Sequence, residues 1–135
     1  MDTETVTVET GDRLVTDVSG VVAGFCSGRG DGLCHVFAPH ATAGLALMEL
    51  GAASELDLAE LLERLMPRDG PYHHRHGSRG HGADHLLPVL VSPSLVLPVA
   101  GGEPLLGTWQ SVVLVDTNVD NRRRTLRCSW VPAPS

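Results

Sequence analysis

Imidazoles are the side chains of this sequence best suited to chemistry, and they are unevenly placed. Five of the seven histidines, His73, His74, His76, His81 and His85, fall within one thirteen-residue stretch. A sixth, His40, follows Pro39 at the end of a strand-like run. Neutral imidazole is the commonest protein ligand for zinc and similar ions. One strand-end histidine and two loop histidines would leave a coordination position open, which is what metal catalysis requires. Spacing alone leaves a second reading standing, a solvated loop enriched in histidine and arginine by composition. His81 and His85 are four residues apart and would share one face of a helix, but Gly80 and Gly82 disfavour a helix there. His35 alternates with apolar neighbours and reads as a structural strand residue.

Other chemistries are narrower. All ten Lys-or-Arg residues are arginine, so lysine Schiff-base catalysis is excluded. Cys26, Cys34 and Cys128 are odd in number, far apart and in apolar surroundings, which predicts buried free thiols and no disulfide framework. A net charge of -6, with no basic stripe interleaved with aromatics, argues against nucleic acid as a partner. No run approaches the ~20 apolar residues that cross a bilayer. The acidic N-terminus is opposite to the basic start of a secretory signal, so a cytoplasmic location and no membrane partner are expected.

The elements that must position these groups follow from periodicity. At 135 residues, 42% of them hydrophobic and 19% charged, the chain has the size and composition of one folded domain. Val6 and Val8 alternate with polar residues and predict a strand over 3–9. Thr16 or Asp17 can cap a helix carrying Val18, Val21, Val22 and Phe25, ended by Gly28. Leu33 to Ala38 and Gly44 to Glu49 read as strands, the first stopped by Pro39. A second helix spans about 55–66, with Ser54 and Asp57 as a capping box, Leu58, Leu61, Leu62 and Leu65 on one face, and Pro67 as its stop. Residues 68–82 read as a long loop, a usual place for function. Strands over 95–99, 108–116 and 124–131 close the domain.

Taken in order, these segments are similar to a known family. Val36-Phe37-Ala38-Pro39-His40-Ala41-Thr42-Ala43 resembles an F-x-P-H-T-T-A segment, with Glu49 at the glutamate of a following N-E pair. Tyr72-His73-His74 resembles Y-x-H, Ala83-Asp84-His85-Leu86 resembles A-H-L, and Leu106-Gly107-Thr108-Trp109-Gln110 resembles L-G-T-W-Q. Asp116 and the run Arg122 to Arg124 follow in the same order. The series, from about Gly11 to Val131, resembles the YjbQ-type family, also called secondary thiamine-phosphate synthases.

The resemblance implies an α+β fold: a compact single domain with a mostly antiparallel sheet or sandwich and two main helices, assembling as a homotrimer. It also implies a weak ability to join the pyrimidine pyrophosphate and thiazole phosphate halves of thiamine, hence a small phosphorylated molecule as partner. The implied cofactor is a divalent metal, zinc, with magnesium or manganese as alternatives. His40, His74 and His85 would hold it, and His81 could supply a fourth ligand that closes the site and makes the metal structural. Thr108, Trp109 and Gln110 would line the same pocket, Trp109 as a flat apolar wall and Gln110 as an orienting amide. Glu49, Trp109 and Gln110 are the implied catalytic residues, and Thr108, Arg122 and Arg124 the implied cofactor-binding ones; Arg122, Arg123 or Arg124 could hold a phosphate bidentately, with a solvated charged turn as the alternative reading. A histidine-bound zinc suits hydrolysis of a small phosphorylated or ester compound equally well.

The sequence also departs from the family pattern. Its N-E-N-x-D style stretch is Met48-Glu49-Leu50-Gly51-Ala52 here, and Arg75, His81 and Leu87 stand at two usual asparagines and a lysine. Losing the groups that orient ligand histidines can alter metal affinity, so a non-catalytic metal- or ligand-binding oligomer is a third expectation.

Overall fold

The computed structural model describes the whole chain apart from Arg75, His76 and Ser78. Strand β1 (Asp2–Glu9), the short β2 (Val15–Asp17) and helix α1 (Ser19–Cys26) are followed by β3 (Gly32–Phe37) and β4 (Ala43–Met48). Helix α2 (Ser54–Leu65) and two single-turn helices, α3 (His81–Asp84) and α4 (Leu87–Leu90), precede β5 (Ser94–Ala100) and the two-residue β6 (Glu103–Pro104). Strands β7 (Ser111–Asp116) and β8 (Arg123–Pro132) end the fold.

The strands form two antiparallel sheets, ordered β1-β8-β3-β5-β6 and β2-β7-β4. This is the α+β domain with two longer helices that the resemblance implies. Strand β7 explains the layering. Its run Val112 to Val115 is buried throughout, so it must be covered on both sides. Val112 and Leu114 face the five-stranded sheet and α1, where they meet Val22, Phe25, Leu126 and Trp130. Val113 and Val115 face the other way and are covered by Leu62, Met66, Ala83 and Leu87. Period-two alternation in one strand thus serves two cores.

Several boundaries differ from expectation, for local reasons. Helix α2 begins at Ser54, not 55, and its cap is Ala53 in a left-handed conformation (φ 66°), so Ser54 and Asp57 form no capping box. Of its leucine face, Leu62 is buried and Leu58 partly so, while Leu61 and Leu65 are exposed. The strand expected over 108–116 starts only at Ser111, because Gly107 to Gln110 is a turn closed by Gln110 N–H on the Gly107 carbonyl. Helix α1 begins two residues beyond Asp17, whose Oδ1 accepts the Ser19 N–H at 2.9 Å. The three cysteines are free and buried, as expected. Burial raises all three thiol pKa values, Cys128 to about 11, which disfavours reactive thiolates. Among the described residues, no helix is long and apolar enough to cross a membrane.

Candidate metal centre

The segment expected to be a loop carries the short helix α3, and this turn decides the histidine geometry. The His85 N–H donates to the His81 carbonyl and the Asp84 N–H to the Gly80 carbonyl, a single α-helical turn that stacks His81 and His85 on one face. The two glycines that disfavour a helix turn out to permit this one. Gly80 adopts φ 80°, and a Cβ there would lie 2.4 Å from the Arg68 guanidinium. At Gly82 a Cβ would lie 2.7 Å from Tyr72 Cβ, so the absent side chain lets Tyr72 pack on the helix. Buried Asp84 then accepts a hydrogen bond from Arg68 Nη1 at 2.7 Å, tying the turn to the segment after α2. Neighbouring Ala83 and Leu87 anchor the same turn in the second core.

His74 meets this pair from the preceding segment. Its ring centroid lies 5.0 Å from that of His81 and 4.6 Å from that of His85, and the latter two are 4.4 Å apart and nearly perpendicular. One ring nitrogen of each histidine lies within 4.8 Å of the others. Nε2 of His81 and Nε2 of His85 are 2.9 Å apart. Two nitrogens on a tetrahedral zinc, at ~2.0–2.1 Å from the metal, are separated by about 3.3 Å. The three rings therefore converge closely enough to share one ion after side-chain adjustment.

His40 stands outside this group, and its position has a structural explanation. The register that pairs Phe37 with Arg127 would bring Pro39 opposite Thr125, and proline has no N–H to offer. The imidazole of His40 takes that place: its Nε2 lies 3.0 Å from the Thr125 N–H nitrogen and 2.9 Å from the Thr125 carbonyl oxygen. One ring nitrogen can serve only one of these groups at a time.

Burial, aided by the nearby Arg124 cation, holds the His40 pKa below its ordinary value, against the opposing effects of the Thr125 hydrogen bond and Asp116. The folded protein therefore binds this proton more weakly than the unfolded chain. The resulting stability is complete above the unfolded-state value of about 6.5 and is lost as pH falls through it towards the folded value. Urea unfolding at pH 7.5 and 5.5 should show a larger loss in the native protein than in His40→Gln. Equal losses would mean that His40 does not titrate this way.

The other expected site residues are scattered. Glu49 is exposed just beyond β4 and does not join the histidine group. Thr108 and Trp109 sit in the exposed turn before β7, Trp109 with 73% of its surface in solvent. Gln110 folds back so that its Oε1 accepts the Gly107 N–H at 2.8 Å, which gives the amide a turn-closing role. Arg122 is exposed, and its carbonyl accepts the N–H groups of Thr10 and Gly11. Arg124 is buried: Nε donates to Asp116 at 2.5 Å and Nη2 to the Thr42 hydroxyl at 3.0 Å, so this guanidinium joins the two sheets. His73 is exposed, and His76 and Arg75 lie outside the described residues. His35 on β3 contacts the Ser94 hydroxyl at 2.5 Å.

Three of the departures, Met48, Leu50 and Leu87, have a packing role. Met48 and Leu50 pack against the second core, and Leu87 is completely buried within it. Apolar volume there supports the sheet face on which α3 rests.

Comparison with known proteins places the fold. Residues 4–133 match the model of the family described as UPF0047 protein YjbQ-like. The chain belongs to that family. UPF0047 protein Rv2556c of Mycobacterium tuberculosis is 58% identical over 131 residues, 97% of this chain and 98% of the relative. The crystal structure of a hypothetical protein from Aeropyrum pernix superposes with a TM-score of 0.88 at 33% identity, over 98% of this chain and 100% of that one. A conserved hypothetical protein from Thermus thermophilus gives a TM-score of 0.82 at 30% identity, over 95% and 99% of the two chains. The family match thus spans the domain, from residue 4 to residue 133.

Proposed function

We propose that His74, His81 and His85 bind one divalent transition-metal ion and that the centre acts on a small phosphorylated compound. The convergence of three ring nitrogens within 4.8 Å carries this reading. An all-imidazole set suits zinc and is a poor match for magnesium, which prefers oxygen ligands. Three protein ligands leave a fourth position for water or substrate. A metal held there would polarise a phosphoryl oxygen and lower the pKa of its water to about 7. The protein's part is to hold the imidazoles: α3 spaces His81 and His85 by one turn, and the Arg68–Asp84 ion pair fixes that turn.

Two reactions fit this centre. Synthase-type chemistry, suggested by the family resemblance, joins two phosphorylated halves of thiamine with loss of pyrophosphate, and needs neutralisation of the departing charge. Hydrolysis of a phosphate or carboxylic ester needs only the bound water. Assembly as a homotrimer is part of the same proposal. It is supported by exposed apolar residues on one outer sheet face, where Leu33 lies between Val131 and Pro98 of its two neighbouring strands and Val96, opposite His35, is one diagonal step away.

The test is to load the purified protein with zinc or manganese and assay both reactions, with a chelator and with His85→Ala as controls. Turnover that both controls abolish is expected. Turnover indifferent to chelator and to His85→Ala would overturn the proposal.

A further inference from the structure

A cavity of about 510 Å³ lies on the far side of α3 from the histidines, between α2 and the end of β7. Ala83 of α3 lines it, whereas His74, His81 and His85 do not. Its volume falls in the range of small-molecule sites, roughly 300–1,000 Å³. Its walls are largely apolar, and Leu14, Leu62, Met66 and Val119 are among the residues that line it.

Charge accounting indicates what would fit. Two arginines line the cavity, and each already has a carboxylate partner, Arg68 with Asp84 and Arg79 with Asp69. Asp116 is likewise balanced by Arg124. The remaining lining charges, Asp12 and Glu63, make no ion pair within 4.0 Å among the described residues, and Glu63 shares the field of Arg79, whose direct partner is Asp69. Thr117 adds a buried hydroxyl with no hydrogen-bond partner among those residues. The cavity therefore combines an apolar floor, an excess of negative charge from two carboxylates without a direct ion pair, and an unused hydroxyl acceptor.

We infer that this cavity binds a small organic cation, an ammonium or amidinium group on an apolar body. The body lies against Leu62 and Met66, and the charged group reaches Asp12 and Glu63. This site is independent of the proposed metal centre, although the two share the turn of α3. An anionic or phosphorylated ligand is the opposite chemistry, because both arginines are already neutralised.

Phenethylammonium is a suitable probe, with 3-phenylpropionate as the anion of similar shape, followed by amide chemical shifts of the full chain. Phenethylammonium should produce saturable shifts at Leu14, Leu62, Thr117 and Val119, with or without chelator, and 3-phenylpropionate should not. The exposed double substitution Asp12→Asn with Glu63→Gln should weaken binding by about threefold to tenfold, as expected for two solvent-screened charges. High salt should weaken it as well. Equal binding of the two probes, unchanged affinity in the double variant, or no saturable shift at these amides would overturn the inference.

Discussion

Replacement of His81 or His85 by alanine should lower zinc affinity by about 100-fold or more, whereas His40→Gln should leave it nearly unchanged. Loss of an outer-sphere partner of a metal-bound histidine costs 10–100-fold, and loss of a ligand should reach or exceed the top of that range. The contrast among these variants separates two ligand sets. The family resemblance implies His40, His74 and His85, whereas the geometry gathers His74, His81 and His85, with His40 engaged at Thr125. Competition titration against a zinc chelator measures each affinity. Unfolding without metal checks that every variant still folds. Zinc binding that depends on His40 and ignores His81 would refute the triad.

Arg124→Ala should destabilise the domain by about 3–5 kcal/mol, the usual cost of removing one partner from a buried ion pair. The side chains of Arg124 and Asp116 are only 7% and 3% exposed. Truncation would leave the Asp116 carboxylate without its counter-charge and the Thr42 hydroxyl without its donor. Asn118 N–H would still donate to Asp116 Oδ1, but one neutral donor cannot replace a guanidinium. A domain of this size has a stability of about 5–15 kcal/mol, so the loss should be evident in urea unfolding. Replacing both partners together, as Arg124→Met with Asp116→Leu, should cost much less, because no buried charge then stands alone. A loss below about 1 kcal/mol in Arg124→Ala would mean that water reaches Asp116 freely.

This pair also shows how a residue's surroundings can differ from those its type and position suggest. An arginine at a strand start after two others resembles a phosphate contact, and residue type alone does not distinguish it from Arg122 or Arg123. Strand alternation does contain a signal: Arg124 shares parity with Leu126, Cys128 and Trp130, all buried. An arginine on that face requires a carboxylate partner, and Asp116 at the end of an apolar strand is the natural candidate.

The Gly-Thr-Trp-Gln block is a similar case. A tryptophan beside an amide suggests a ligand wall. In the single chain, Gln110 closes its own turn and Trp109 lies exposed. Such short-range closure is decided by backbone dihedrals that residue types only bias.

By itself, the sequence determined most strand positions, the two longer helices, the buried thiols and the concentration of imidazoles between positions 73 and 85. These depend on periodicity and composition, which act over a few residues. Only the tertiary structure decided which imidazoles meet. Helix α3 is a single turn, too short to persist alone, and depends on Ala83 and Leu87 in the second core and on Asp84 held by Arg68. Nucleation of an isolated turn is unfavourable, so packing must supply what local propensity does not, and packing is a property of the whole fold.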